Sequence, residues 1–288
     1  MGASNPRVGL MVGRTGIAAA RRLGRRSQLA FITGVTAWAA LFSGEWDWAV
    51  AELESLLADD LDASDRAEAL GPASVLAGYR GEDFSARLAE FEQLATDRTD
   101  PQIISGLLDA RRALAVSEAR FRDAHEITLR EVEVLGTPEF LMWSARYALW
   151  AGDDIGYRAD IDRVDAAGIY GGAYDAERIA MRAAVAALDG HQADAVVLYR
   201  DAMRLYRELG AIWSEALCAI DMATVLDPSE PNVEATAATA RETFSRLRAK
   251  PFLDELETRM GRRGDGIERV ANQRSTHETT APVASGDP

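Results

Sequence analysis

Apolar residues recur along this chain at intervals of three and four, in stretches of a dozen or more that are cut by glycine, proline or aspartate. That spacing gathers them on one side of a helix and predicts amphipathic α-helices from end to end. The first clear pair covers 28–43 and 46–58, parted at Ser43-Gly44-Glu45, and a second covers 64–80 and 83–96, parted at Gly81-Glu82. Asp100-Pro101 opens the third pair with an N-cap residue and a proline whose missing N–H costs nothing in the first turn. That helix runs to about Ser117 and its partner covers 121–135. Thr137-Pro138 repeats the start signal just after Gly136 has ended the helix before it, and opens 138–151 and 153–167, parted at Gly152-Asp153. A fifth pair takes 173–189 and 191–209 around Gly190, a sixth takes 212–226 and 232–248 around Asp227-Pro228-Ser229-Glu230-Pro231, and a last short helix starts at Pro251.

The breaks inside the pairs fall at Gly44, Gly81, about Ala119, Gly152 and Gly190, giving spacings of roughly 37, 38, 33 and 38 residues. A period of that length with two helices per unit predicts a helical solenoid, in which each unit covers its apolar side with its neighbours and a curved trough is left along the inside. The composition agrees, because alanine, leucine, arginine and glutamate outnumber the β-branched and aromatic residues that build sheets.

The residues around the breaks resemble those of the tetratricopeptide family, whose pattern is a glycine, an acid, an aromatic and, three positions on, a small residue. Gly44-Glu45-Trp46-Asp47-Trp48-Ala49 carries the likeness best; Phe121-Arg122-Asp123-Ala124 matches the second half, and Gly190-His191-Gln192-Ala193-Asp194-Ala195 matches without the aromatic. Gly81-Glu82-Asp83-Phe84 and Gly152-Asp153-Asp154-Ile155 keep the turn, with Arg87 and Arg158 in the small position. The resemblance implies an all-α fold, a right-handed α-α superhelix of about six degenerate tetratricopeptide-like pairs. The closing segment Ala240–Leu253, with Leu23-Gly24, Leu135-Gly136 and Leu209-Gly210, is also similar to the C-terminal repeat region of bacterial multidomain regulators that join a nucleotide cyclase or DNA-binding domain to an ATPase module.

Residues 1–26 read as a basic segment with a partial repeat helix, since Ile17–Gly24 takes the place of a second helix that lacks its first. Such a half repeat implies truncation from a longer ancestor or burial by a partner. Residues 27–260 form the repeat domain, and 261–288, without apolar periodicity, read as a disordered tail.

The net charge of −14 argues against a body that binds nucleic acid, although Arg7, Arg14, Arg21, Arg22, Arg25 and Arg26 make the first 26 residues basic. No apolar run reaches the ~18 residues of a membrane span. Val8–Val12 is too short, and too soon cut by Gly13 and Arg14, for an export signal. Cys218 is the single cysteine, which precludes an internal disulfide and points to a reducing, cytoplasmic setting.

No catalytic, metal or cofactor site is predicted. Gly9-Leu10-Met11-Val12-Gly13-Arg14-Thr15 comes near a phosphate-binding loop but is one residue short and has arginine for the lysine. His125, His191 and His277 stand far apart, and Cys218 sits in an apolar helix without a base beside it. Phe140, Trp143, Tyr147 and Trp150 share one helical face, either as core between repeats or as the wall of a ligand groove. Arg111 and Arg182 lie eight residues before the breaks in their repeats and Arg146 six before its own, so the three either sit on the surface or form a cationic ladder along the trough that captures an acidic peptide. The function expected is therefore a non-catalytic interaction module that binds a protein or peptide partner, or a small effector, through Arg111, Arg146, Arg182, Trp143 and Tyr147. The alternative is a detached sensory arm of a cyclase or ATPase-type regulator.

Overall fold

A computed structural model describes residues 4–261. They form α1 (Pro6–Leu23), α2 (Arg26–Ser43), α3 (Trp46–Leu57), α4 (Ala63–Arg80), α5 (Ser85–Ala95), α6 (Pro101–Ser117) and α7 (Phe121–Leu135). The second half contributes α8 (Phe140–Ala151), α9 (Asp154–Ala167), α10 (Ala173–Leu188), α11 (Gln192–Leu209), α12 (Ile212–Val225), α13 (Pro231–Leu247) and α14 (Lys250–Gly261). The protein is all-helical among the described residues, and apart from Gly261 the segment 261–288 lies outside them. No described helix is long and apolar enough to cross a membrane.

The starts and stops obey the local chemistry. Asp62 caps α4 by accepting from the Asp65 amide at 2.9 Å, and Asp100 caps α6 by accepting from the Gln102 amide at 2.9 Å. Gly44 ends α2 at φ 77°, a left-handed conformation that lets its amide and the next one turn back onto the last carbonyls. Ala119 takes the same left-handed region at φ 54° without being glycine, so the third break keeps its place in the period at the expense of some backbone strain.

Within each pair the second helix is seated by buried residues near its start. Trp46 is buried and donates its indole N–H to the Leu41 carbonyl at 2.9 Å, while Ala49, Ala124 and Ala195 are wholly buried where helices come close. In the fourth pair Ile155 is 84% exposed, and the buried aromatic is instead Tyr157, whose hydroxyl donates to the Met181 carbonyl at 3.0 Å. Arg87 reaches back to the Ala73 carbonyl, and Arg158 lies outside on Asp154 and Asp189.

The N-terminal residues form a full helix. Gly9–Thr15 lies inside α1, so its amides are spent on helix bonds and make no phosphate cradle. Two arginines of this basic helix are occupied by α3: Arg14 pairs with Glu45 and stacks over Trp48, and Arg21 pairs with Glu52 at 2.5 Å.

Packing is not confined to neighbours in the chain. α12 packs against α2 and α8 as well as against α10, α11 and α13, and α14 packs against α4, α6 and α12. The first and last thirds are thus in direct contact, which an open stack would not allow. α14 crosses beneath the C-terminal ends of the inner helices: Pro251 lies against Gly81, Arg248 pairs with Asp47, and Arg259 donates to the Trp150 carbonyl at 2.8 Å. In its first turn Phe252 touches the rings of Trp213 at 4.6 Å and Tyr79 at 4.9 Å, and lies near Phe244 and Trp150. These aromatics come from α4, α8, α12, α13 and α14, so one ring holds five helices together.

Truncation of that ring is therefore expected to cost more than its own transfer energy. Phe252→Ala should lower stability by about 3–5 kcal/mol, read as a reduced urea midpoint by circular dichroism.

Candidate functional site

With α14 sealing the C-terminal ends, the opposite ends of α4, α6, α8, α10 and α12, together with the side of α2, enclose a cavity of about 410 Å3. That is ample for a small organic molecule. One wall is aromatic, built from Trp38 and Phe42 of α2 and Phe140 and Trp143 of α8, with Phe42 and Trp143 ring centres 5.8 Å apart. Phe31 and Val35 belong to the lining and are also 56% and 46% exposed, which marks where the cavity opens to solvent. α4 and α6 can both reach it because they cross at Gly71 and Gly106, where a Cβ on Gly71 would already stand 3.4 Å from the Gly106 Cα.

The base of the cavity is charged. Arg112 is buried, joined by ion pair to Asp109 and facing Glu131 at 3.6 Å, and its guanidinium donates to the hydroxyls of Tyr79 and Tyr147, each at 3.3 Å. It also lies over the Trp143 ring at 5.7 Å. Arg146 is buried too, holding Glu177 at 2.6 Å and Asp221 at 3.1 Å, and Asp221 accepts from the Trp150 indole at 2.7 Å. The two networks join residues of α4, α6, α7, α8, α10 and α12. Each arginine is met by two carboxylates, which satisfies charges that could not otherwise be buried.

Burial pushes the carboxyl groups of Glu131 and Glu177 above their ordinary range, although Arg112 pulls on the first and Arg146 and Tyr206 on the second. Burial opposes charge on Arg146, but Asp221 and Glu177 more than restore it and hold its pKa above that of a free guanidinium. Cys218 lies beside this network, wholly enclosed, and burial followed by Asp221 drives its thiol far up, away from the reactive thiolate.

Of the residues singled out by the sequence, the structure brings Arg146 and Trp143 to the cavity, with Tyr147 bonded to Arg112 just behind. It does not assemble the ladder. Arg111 faces outward to Glu92 at 2.8 Å, Arg182 is exposed on α10, and neither lines the cavity. The aromatic face of α8 is divided: Phe140 and Trp143 line the cavity, while Tyr147 and Trp150 are core. Arg112, Asp109, Glu177 and Asp221 escaped sequence reasoning. The available signal was an Asp and an Arg three apart, Asp109 and Arg112, set among apolar residues that mark the buried face of α6.

A scan against protein-family models finds none that matches this chain, and no curated protein matches it significantly in sequence.

The paired networks set a pH dependence. Because Glu131 and Glu177 titrate higher in the folded protein than in the unfolded chain (about 4.3 there), the folded state binds more protons between the two values. Their contribution is full below the unfolded value and lost as pH rises through the folded ones. Arg146→Ala strands Glu177 and Asp221 without a cation and should cost about 3–5 kcal/mol near neutral pH. The deficit should shrink as the pH falls and Glu177 takes up a proton, when urea unfolding is compared between about pH 5 and pH 8.

Proposed function

We propose that this chain is a non-catalytic binding module whose ligand, a small effector, occupies the central cavity. The observation that carries the reading is the enclosure of about 410 Å3 by six helices that are distant in sequence, with a largely aromatic wall and a charged base whose members are already paired. Charged groups locked to one another orient a ligand more readily than they transfer protons to it, and the buried thiol nearby is held in its inert form. The closure by α12 and α14 favours a small molecule over the extended peptide that an open trough would take.

The helix pairs are read as degenerate tetratricopeptide-type hairpins. Support comes from the buried Trp46 and Phe121 after their breaks and from the enclosed Ala49, Ala124 and Ala195 at the small position. In that light the chain is a superhelix of such hairpins drawn shut on itself, and the role that suits it is regulation by a bound effector in a signalling assembly.

Trp38 and Trp143 lie in the cavity wall and report on it directly. Titration with apolar organic molecules of about 10–20 heavy atoms should produce a saturable change in tryptophan fluorescence. A ligand at a hundredfold its Kd should add about 2.7 kcal/mol of stability. Val35→Trp, which places a large ring at the partly exposed mouth, should abolish both effects and leave the fold intact by circular dichroism. Saturable binding that is indifferent to Val35→Trp would put the ligand elsewhere and end the cavity reading.

A further inference from the structure

The charges that line the cavity do not balance, and the imbalance indicates what belongs inside. Both arginines are covered: Arg112 by Asp109 and Glu131, Arg146 by Glu177 and Asp221. Two further lining carboxylates, Glu68 of α4 and Glu139 at the start of α8, have no cation and no capping bond. Glu68 is half-buried, and burial together with Asp100 and Asp65 holds its carboxyl above the ordinary range, the state of an acid among acids. The nearest arginine in its helix, Arg66, is turned away onto Glu90 and the Leu57 carbonyl.

A second, independent sign is Ser214 of α12. It is 5% exposed, lines the same cavity, and its hydroxyl has no hydrogen-bond partner. A hydroxyl that borders the cavity and is not tied down by another side chain can give or take a hydrogen bond there.

Resting on the cavity as the binding site, we propose that its ligand is an organic cation, a protonated amine or amidine on an aromatic or branched apolar body. The body packs against Trp38, Phe42, Phe140 and Trp143, the charge is met by Glu68 and Glu139, and Ser214 takes a polar group of the ligand. The aromatic wall adds its own attraction, since ring faces draw cations. The positive helix ends at the mouth do not reverse the sign. Asp62 and Asp100 already cap α4 and α6, Asp175 and Glu215 stand in the first turns of α10 and α12, and the end effect fades within one turn.

The test uses three probes of one shape: 3-phenylpropylammonium, 3-phenylpropanol and 3-phenylpropanoate, titrated into the full chain by calorimetry with tryptophan fluorescence alongside. The ammonium should bind about tenfold or more tighter than the alcohol, and the carboxylate weakest of the three. In E68Q/E139Q the ammonium should fall to the affinity of the alcohol while the alcohol is unchanged, which also shows that the variant is folded. Should that variant fail to fold, the wild-type preference must still weaken from about 20 mM to about 500 mM salt, as a charge contact open to solvent does. An ammonium that binds no better than the alcohol, or a preference untouched by E68Q/E139Q and by salt, overturns the cation and leaves the cavity site standing. Binding by none of the three overturns both.

Discussion

The architecture depends on burying Arg112 and Arg146 together with their carboxylates, those of Arg146 drawn from helices far apart in the chain. A guanidinium cannot enter a protein interior alone, so Arg112 requires α6 and α7 to deliver Asp109 and Glu131, and Arg146 requires α10 and α12 to deliver Glu177 and Asp221. Hydrophobic burial gives the helices a reason to stick but tolerates many relative placements. Two charge networks with fixed geometry tolerate few, and the one around Arg146 includes Asp221 of α12. They select the arrangement in which α12 comes round to α2 and α8, and the cavity is the space left above them.

Much of the helical pattern was legible, because its causes are local. Asp100-Pro101 and Gly44 act within a few residues of themselves, and the helices they bound begin or end where the sequence indicates. The third break also falls where the helical pattern lapses, at Ala119, which stands in place of glycine. The N-terminal helix was half seen: its second half read as helix, and the glycines at 9, 13 and 16 obscured its first. They suit the close contact with α2, where a Cβ on Gly13 would collide with Thr36.

The closure was not legible, because it rests on contacts between residues with no local relation. Nothing near Phe252 says that its ring will meet Trp213 and Tyr79, and nothing near Asp221 says that it belongs to Arg146. The arginine ladder failed for a related reason. Counting back from each break ignores the 100° turn per residue, so Arg111 was chosen while Arg112, one place on, is the residue that faces inward. Arg146, picked by the same count at six residues before its break, lines the cavity, as does Trp143 on the aromatic side of its helix.

The position of α14 beneath the inner helices also orders events during synthesis. It is made after the thirteen helices before it, yet it supplies the ring on which four of them converge and the arginine that ties α8 to α12. Until it leaves the ribosome, Tyr79, Trp150 and Trp213 wait without their common partner. The ring that joins the early helices to the late ones is thus among the last parts of the fold to be synthesised.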